Sequence, residues 1–205
     1  MSTELFYIYD SHCPWSYAAT PLVMEIAQAF PKMKLHLWHS ARYDGDESVS
    51  IEQVNAVKHD SDMTFGESYL EKIQTPKDST IIANLMTWAH YKTEQQALPL
   101  LKALQDAHFQ QGRLLDTKDD IKDIVDSFKL SPPEKVYAID KLSKDAEIVV
   151  HEILELQELI NTSAIPALLL AIDNNLVLLN HNLYLKNPKA IVEAVTMEIA
   201  AKQNG

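Results

Sequence analysis

DSHCPWSY, residues 10–17, is the stretch on which the reading of this chain turns, and it holds the sequence's single cysteine, Cys13. It follows ELFYIY (residues 4–9), an apolar and aromatic run of strand length that ends in a polar turn. Beyond Cys13 the spacing becomes helical, with Tyr17, Ala18, Pro21, Leu22, Ile26, Ala29 and Phe30 on one stripe. Pro14 suits the first helical position, where its missing N–H costs nothing. Pro21 removes a bond further in and predicts a kink, and Pro31 closes the helix. KLHLWHS (34–40) then alternates as a second strand, and a right-handed crossover makes the two strands parallel. Cys13 therefore stands at a strand-to-helix boundary, where unpaired N–H groups and the helix dipole favour a negative charge. The expectation is a thiol pKa below that of free cysteine, helped by His12 if protonated and by the Ser16 hydroxyl. The bland alternative, a small buried hydrophobe, stands open beside it.

Downstream, residues 44–142 read as almost wholly helical. Ser50 with Gln53 forms a capping-box pattern, and Ser131-Pro132-Pro133-Glu134 forms another with prolines in its first turn. Gly112 is a helix stop. Ile81, Ile82, Leu85, Trp88 and Ala89 mark one buried helix face, and Leu98, Leu101, Ala103 and Leu104 another. Residues 143–160 form an amphipathic helix through Ala146, Val149, Val150, Ile153, Gln157 and Ile160. In residues 161–180 two apolar runs flank Asp173-Asn174-Asn175, which predicts an antiparallel hairpin. Asn187-Pro188 then caps a last helix with Ile191, Val192, Val195 and Ile199 inward. The resulting order is that of an α/β, thioredoxin-like sheet with an all-helical domain inserted after the second strand. Its parts are residues 1–43 and 143–205 for the discontinuous thioredoxin-like domain and 44–142 for the insertion.

The composition narrows the partners. An apolar fraction of 46% and a charged fraction of 23% are ordinary for a globular protein. The net charge of -11 opposes binding to nucleic-acid phosphates and to anionic membrane surfaces. No apolar run approaches the ~18 residues a membrane helix needs. The N-terminus lacks the basic and apolar regions of a secretory signal. One cysteine forms no internal disulfide, which agrees with a reducing, cytoplasmic setting for a complete chain. No metal is expected. His36 and His39, three apart on a strand, point to opposite faces, while His59, His90, His108 and His151 are scattered. The acidic run 116–126 is interleaved with Lys118 and Lys122 and reads as a solvated helix face. Four glycines leave no room for a phosphate-cradling loop.

YDSHCPWSYAATPLV (9–23) resembles the active-site segment of the DsbA-like oxidoreductases, in particular the cytosolic branch of predicted protein-disulfide isomerases. FGESYL (65–70), AHFQQGR (107–113) and IPALLL (165–170) match that branch in order and position. The resemblance implies Cys13 as nucleophile, Pro166 as a cis proline opposite it, and Pro14, Trp15, Ile165 and His12 around the substrate. It also implies protein thiols, protein disulfides or glutathione as partners, with no bound cofactor and glutathione as a co-substrate. Two departures matter: the resolving cysteine is Ser16, and the glycine-rich approach to the proline is Ser163-Ala164-Ile165. A C-x-x-S site starts an exchange but needs an outside thiol to finish it. Two alternatives stay open. One is a glutathione-dependent transferase or isomerase of the kappa or hydroxychromene carboxylate type, with Ser16 as thiol activator. The other is a non-catalytic peptide-binding relative. Whether the insertion mediates an oligomer is not legible.

Overall fold

The computed structural model describes residues 2–203. β1 (Thr3–Tyr9), α1 (Pro14–Ala29) and β2 (Lys34–His39) form the expected β-α-β unit. β1 and β2 pair in parallel from Glu4↔Lys34 to Tyr9↔His39. α1 runs through Pro21 and buries Leu22, Val23 and Ile26. Each such side chain contributes roughly 1.5–3 kcal/mol by leaving water. β1 also pairs antiparallel with β3 (Ala167–Ile172), and β3 with β4 (Asn175–Leu178), giving the order β2-β1-β3-β4. The hairpin turn is Asp173-Asn174, with Asp173 at a φ of 50°. Asn175, expected in the turn, is already in the strand opposite Ile172.

The segment between β2 and β3 supplies α2 (Ile51–Asp60), α3 (Glu67–Glu71), α4 (Thr80–Lys92), α5 (Glu94–Phe109), α6 (Lys118–Ser127) and α7 (Lys144–Leu159). Ser50 caps α2 by accepting from the Gln53 N–H at 3.1 Å, and Ser143 caps α7. Ser131 is not a cap. The element there is one 3-10 turn, Glu134–Tyr137, that starts after Pro133, because Pro133 keeps Pro132 before it out of the helical region and no helix begins at Ser131. At the C-terminus a 3-10 turn, Pro188–Ala190, precedes α8 (Ile191–Gln203), and Asn187 makes no side-chain cap bond.

One sheet face, with Leu5, Tyr7, Leu168, Leu170 and Ile172, packs on α1 and α8 in the larger core. That core continues through Tyr43 and Tyr69 to Leu85, Leu101 and Phe109, so the sheet and helical segment share apolar contacts. On the other face, Ile8, Ala167 and Leu169 pack against Val149 and Ile153 of α7. Two glycines set the position of α3. A Cβ on Gly66 would lie 1.9 Å from the Gln110 carbonyl oxygen, and one on Gly112 would lie 2.6 Å from the Ser68 backbone. Only a bare Cα lets the chain before α3 pass so close to the end of α5.

Candidate active site around Cys13

The turn between β1 and α1 is built on Asp10, whose carboxylate is wholly buried. It accepts from the His12 and Arg42 N–H groups at 2.8 Å each, from the Ser79 hydroxyl at 2.8 Å and from the Tyr43 N–H at 3.4 Å. A buried charge survives when its lone pairs are satisfied in this way. Cys13 follows as the N-cap residue of α1 in extended conformation, with its N–H on the Asp10 carbonyl and its own carbonyl accepting from Tyr17. This geometry leaves the first helical N–H groups free to face the sulfur.

The Ser16 N–H, the Ser16 hydroxyl and the Trp15 N–H all favour a thiolate at Cys13. The sulfur is nevertheless only 3% exposed, and burial is the larger effect. Burial pushes the Cys13 thiol up, and the Asp10 charge adds to it. The expectation of a depressed pKa is therefore corrected: the helix terminus and Ser16 act in the expected direction but do not outweigh desolvation. Tyr43 and Tyr69, from the helical segment, lie close enough to feel a charge on Cys13, as does Tyr7.

His12 does not act as a cation beside the sulfur. Its imidazole is fully buried, and burial pushes its pKa down. The Leu114 carbonyl 2.8 Å from Nε2 can only accept, so Nε2 carries the proton and Nδ1 accepts. Ser11 then donates to His12 Nδ1 at 2.9 Å, while His39 Nε2 faces both the Ser11 N–H at 3.1 Å and the Ser11 hydroxyl at 2.9 Å, and His39 Nδ1 accepts from the Ala41 N–H at 3.0 Å. This network ties β2, the active-site turn and the loop after α5 together. The imidazole placed among the substrate-binding residues thus serves the interior.

Ser16 is fully buried as well. Its hydroxyl accepts from the Asp10 N–H at 3.3 Å, and its carbonyl accepts from Tyr7 at 2.6 Å and Thr20 at 3.0 Å. Pro14 is buried, whereas Trp15 and Ile165 are half-buried and keep some surface. The Ile165–Pro166 peptide bond is cis. The pairing of Ile8 with Ala167 sets Pro166 just beyond the end of the sheet from which the Cys13 turn departs. A cleft of about 230 Å³ adjoins Pro166, bounded by Thr162, Ala164 and His181.

The sequence did not single out Asp10, Tyr43 or Tyr69 for this site. FGESYL, which contains Tyr69, was the available signal. His108, read as isolated, lies against His12 with ring centroids 4.2 Å apart and donates from Nδ1 to the Arg113 carbonyl at 2.7 Å. His36 and His39 do face opposite sides of the sheet: His36 stacks on Phe6 and pairs with Glu4, while His39 joins the buried chain. Among the described residues no group of His, Cys, Asp and Glu is arranged to hold a metal ion. Among them, too, no helix is long and apolar enough to cross a membrane.

No family model and no curated protein matches the sequence. Solved structures do match the fold. The cytosolic disulfide reductase DsbM from Pseudomonas aeruginosa, solved with glutathione, is 17% identical, with a TM-score of 0.82 over 96% of this chain and 99% of its own. A protein disulfide isomerase candidate from Nitrosomonas europaea is 14% identical, with a TM-score of 0.74 over all of both chains. A 2-hydroxychromene-2-carboxylate isomerase is 14% identical, with a TM-score of 0.59 over 98% of this chain and 97% of its own. With Cys13 at the head of α1, a cis proline before β3 and helices between β2 and β3, the chain has the thioredoxin-like fold of the DsbA-like oxidoreductases.

Proposed function

We propose that the chain is a thiol–disulfide oxidoreductase or isomerase working through the single thiol of Cys13. The observation that carries this reading is the placement of Cys13 as the N-cap of α1, at the end of the sheet where the cis Ile165–Pro166 bond also lies. The Cys13 thiolate attacks one sulfur of a substrate disulfide. A Cys13–substrate disulfide forms as the substrate's own S–S bond breaks, and the released sulfur departs as a thiolate and takes up a proton. Ser16 cannot attack this mixed disulfide, so release requires a second thiolate. A glutathione thiolate restores the Cys13 thiolate and leaves the substrate joined to glutathione. Attack by another thiol of the substrate instead leaves it isomerised. The likeness to a glutathione-bound reductase supports glutathione in that role, and the cytoplasm supplies it.

In this reading Trp15 and Ile165, which keep surface, flank the approaching disulfide, with Pro14 and Pro166 behind them. Residues 44–142 act as the inserted domain that covers the sulfur. The transferase alternative asks Ser16 to activate an outside thiol. That hydroxyl is buried and already accepts from the Asp10 N–H, which favours the exchange reading.

The test is intact-mass measurement after incubation with oxidised glutathione. The expected result is one glutathione adduct, removed by reduced glutathione and absent from Cys13→Ser. Tight binding of reduced glutathione without an adduct would transfer the protein to the transferase class. No response to either form overturns thiol chemistry at this site.

A further inference from the structure

β4 is an edge of the sheet, and although it is only four residues long, its side chains do nothing to stop it from pairing. Its residues, Asn175-Leu176-Val177-Leu178, include no charge and no proline. Antiparallel alternation beyond the Ile172↔Asn175 pair leaves Leu176 and Leu178 with their N–H and C=O groups directed away from β3. Their side chains are 36% and 48% exposed. Both point to the sheet face that α7 only partly covers, since they pair with Ala171 and Leu169 there. Between α7 and this edge runs a groove of about 490 Å³. Its floor is Phe6, Trp38, Leu156, Leu159, Ala171 and Leu176, and Leu159 is 74% exposed. Its charged lining is Glu152, Glu155 and Asp173, with no lysine or arginine.

We propose that this edge takes an extended, basic peptide segment of a partner protein, added as a fifth strand beside β4. The free backbone groups of Leu176 and Leu178 supply the pairing. Apolar residues at the centre of the segment fill the groove, and lysine or arginine at its ends meets Glu152, Glu155 and Asp173. A second copy of this chain fits poorly, because it would bring the same acidic lining against itself. The surface lies toward the Asp173-Asn174 turn, at the end of β3 opposite Pro166, so it is separate from the exchange chemistry proposed for Cys13.

The probe is a capped, cysteine-free peptide of alternating valine and threonine flanked by lysines, compared with the same peptide carrying glutamates. Binding to the full chain is followed by fluorescence anisotropy and by backbone amide NMR shifts. The basic peptide is expected to bind at least about tenfold more tightly, with shifts confined to 152–159 and 173–178 and affinity falling as salt rises. Leu176→Pro removes an N–H that β3 does not use and should weaken binding by about tenfold. Glu155→Lys provides a second variant should the proline disturb folding, and it should weaken binding in the same direction. Absence of saturable binding, equal binding of the two peptides, or shifts centred on 163–166 overturns the proposal. So does a dimer in sedimentation that Leu178→Lys splits, since a second copy would then be the occupant.

Discussion

Replacing Ser16 by alanine tests the chemistry of the Cys13 site directly. The hydroxyl is one of the groups that favour a thiolate at Cys13, and it accepts from the Asp10 N–H at 3.3 Å in a fully buried setting. A hydrogen bond to a charged partner contributes about 1.5–3 kcal/mol. The Ser16 and Trp15 N–H groups remain in Ser16→Ala, so only the hydroxyl's share is lost. At about 1.4 kcal/mol per factor of ten, the thiolate fraction at neutral pH should fall roughly ten- to a hundredfold. The assay is the rate of Cys13 alkylation by iodoacetamide across pH, with circular dichroism to establish that the variant is folded. The pH–rate curve should move to higher pH, because the thiolate loses a donor while the thiol loses little. The variant should also be less stable by about 1–3 kcal/mol, since the buried Asp10 N–H is left without its acceptor. Superimposable alkylation curves for the two proteins would falsify the claim that Ser16 holds the sulfur.

The wild-type chain should not reduce insulin at thioredoxin-like rates in the presence of dithiothreitol, whereas Ser16→Cys, which places a second thiol against the first, should gain that activity. A wild type that is already active would mean that release does not depend on residue 16. Stability should fall between about pH 6.5 and about pH 4.5, before carboxylates begin to titrate. His39 is the measurable part, its pKa pushed down by burial to about 4 from 6.5. Because the folded value is depressed, its contribution is whole above the unfolded pKa and is lost as pH falls, amounting to about 2 kcal/mol by about pH 5. His12 and His108, also pushed down by burial, act in the same direction. A urea midpoint that holds steady down to about pH 5 contradicts the neutral buried chain.

The architecture near Cys13 was legible because it rests on local period. ELFYIY and KLHLWHS change abruptly to and from a helical stripe, and β1, α1 and β2 follow. The hairpin was legible from residues that tolerate positive φ, although only Asp173 adopts it and Asn175 joins the strand. The Ser131 cap failed because Pro133 keeps Pro132 out of the helical conformation, so the 3-10 turn starts only after Pro133. What a local reading could not supply was the environment of the sulfur. His12 neighbours Cys13 in sequence, yet its protonation is decided by Leu114, which lies 102 residues away. Tyr43 and Tyr69, which share the core of Cys13, also lie far from it in the chain, and no periodicity announces which thiol they will bury. The proline at 166 was flagged by resemblance, since residue identity alone leaves its isomer open.

Two sets of forces act on Cys13, and they come from different parts of the chain. The groups that favour the thiolate lie within residues 15–16, fixed at the head of α1. The burial that opposes it comes from the apolar core that Cys13 shares with the helical segment, Tyr69 of α3 among its members. α3 has five residues, and its position depends on the close backbone passages at Gly66 and Gly112. Displacing it would lessen the desolvation of Cys13 while leaving the donors of α1 in place. Access and reactivity would then be linked, because the same displacement that exposed the sulfur would lower its pKa. In the proposed monothiol reading that linkage would serve the chemistry, because a thiol with no partner cysteine to protect it as an internal disulfide is shielded from oxidation by burial.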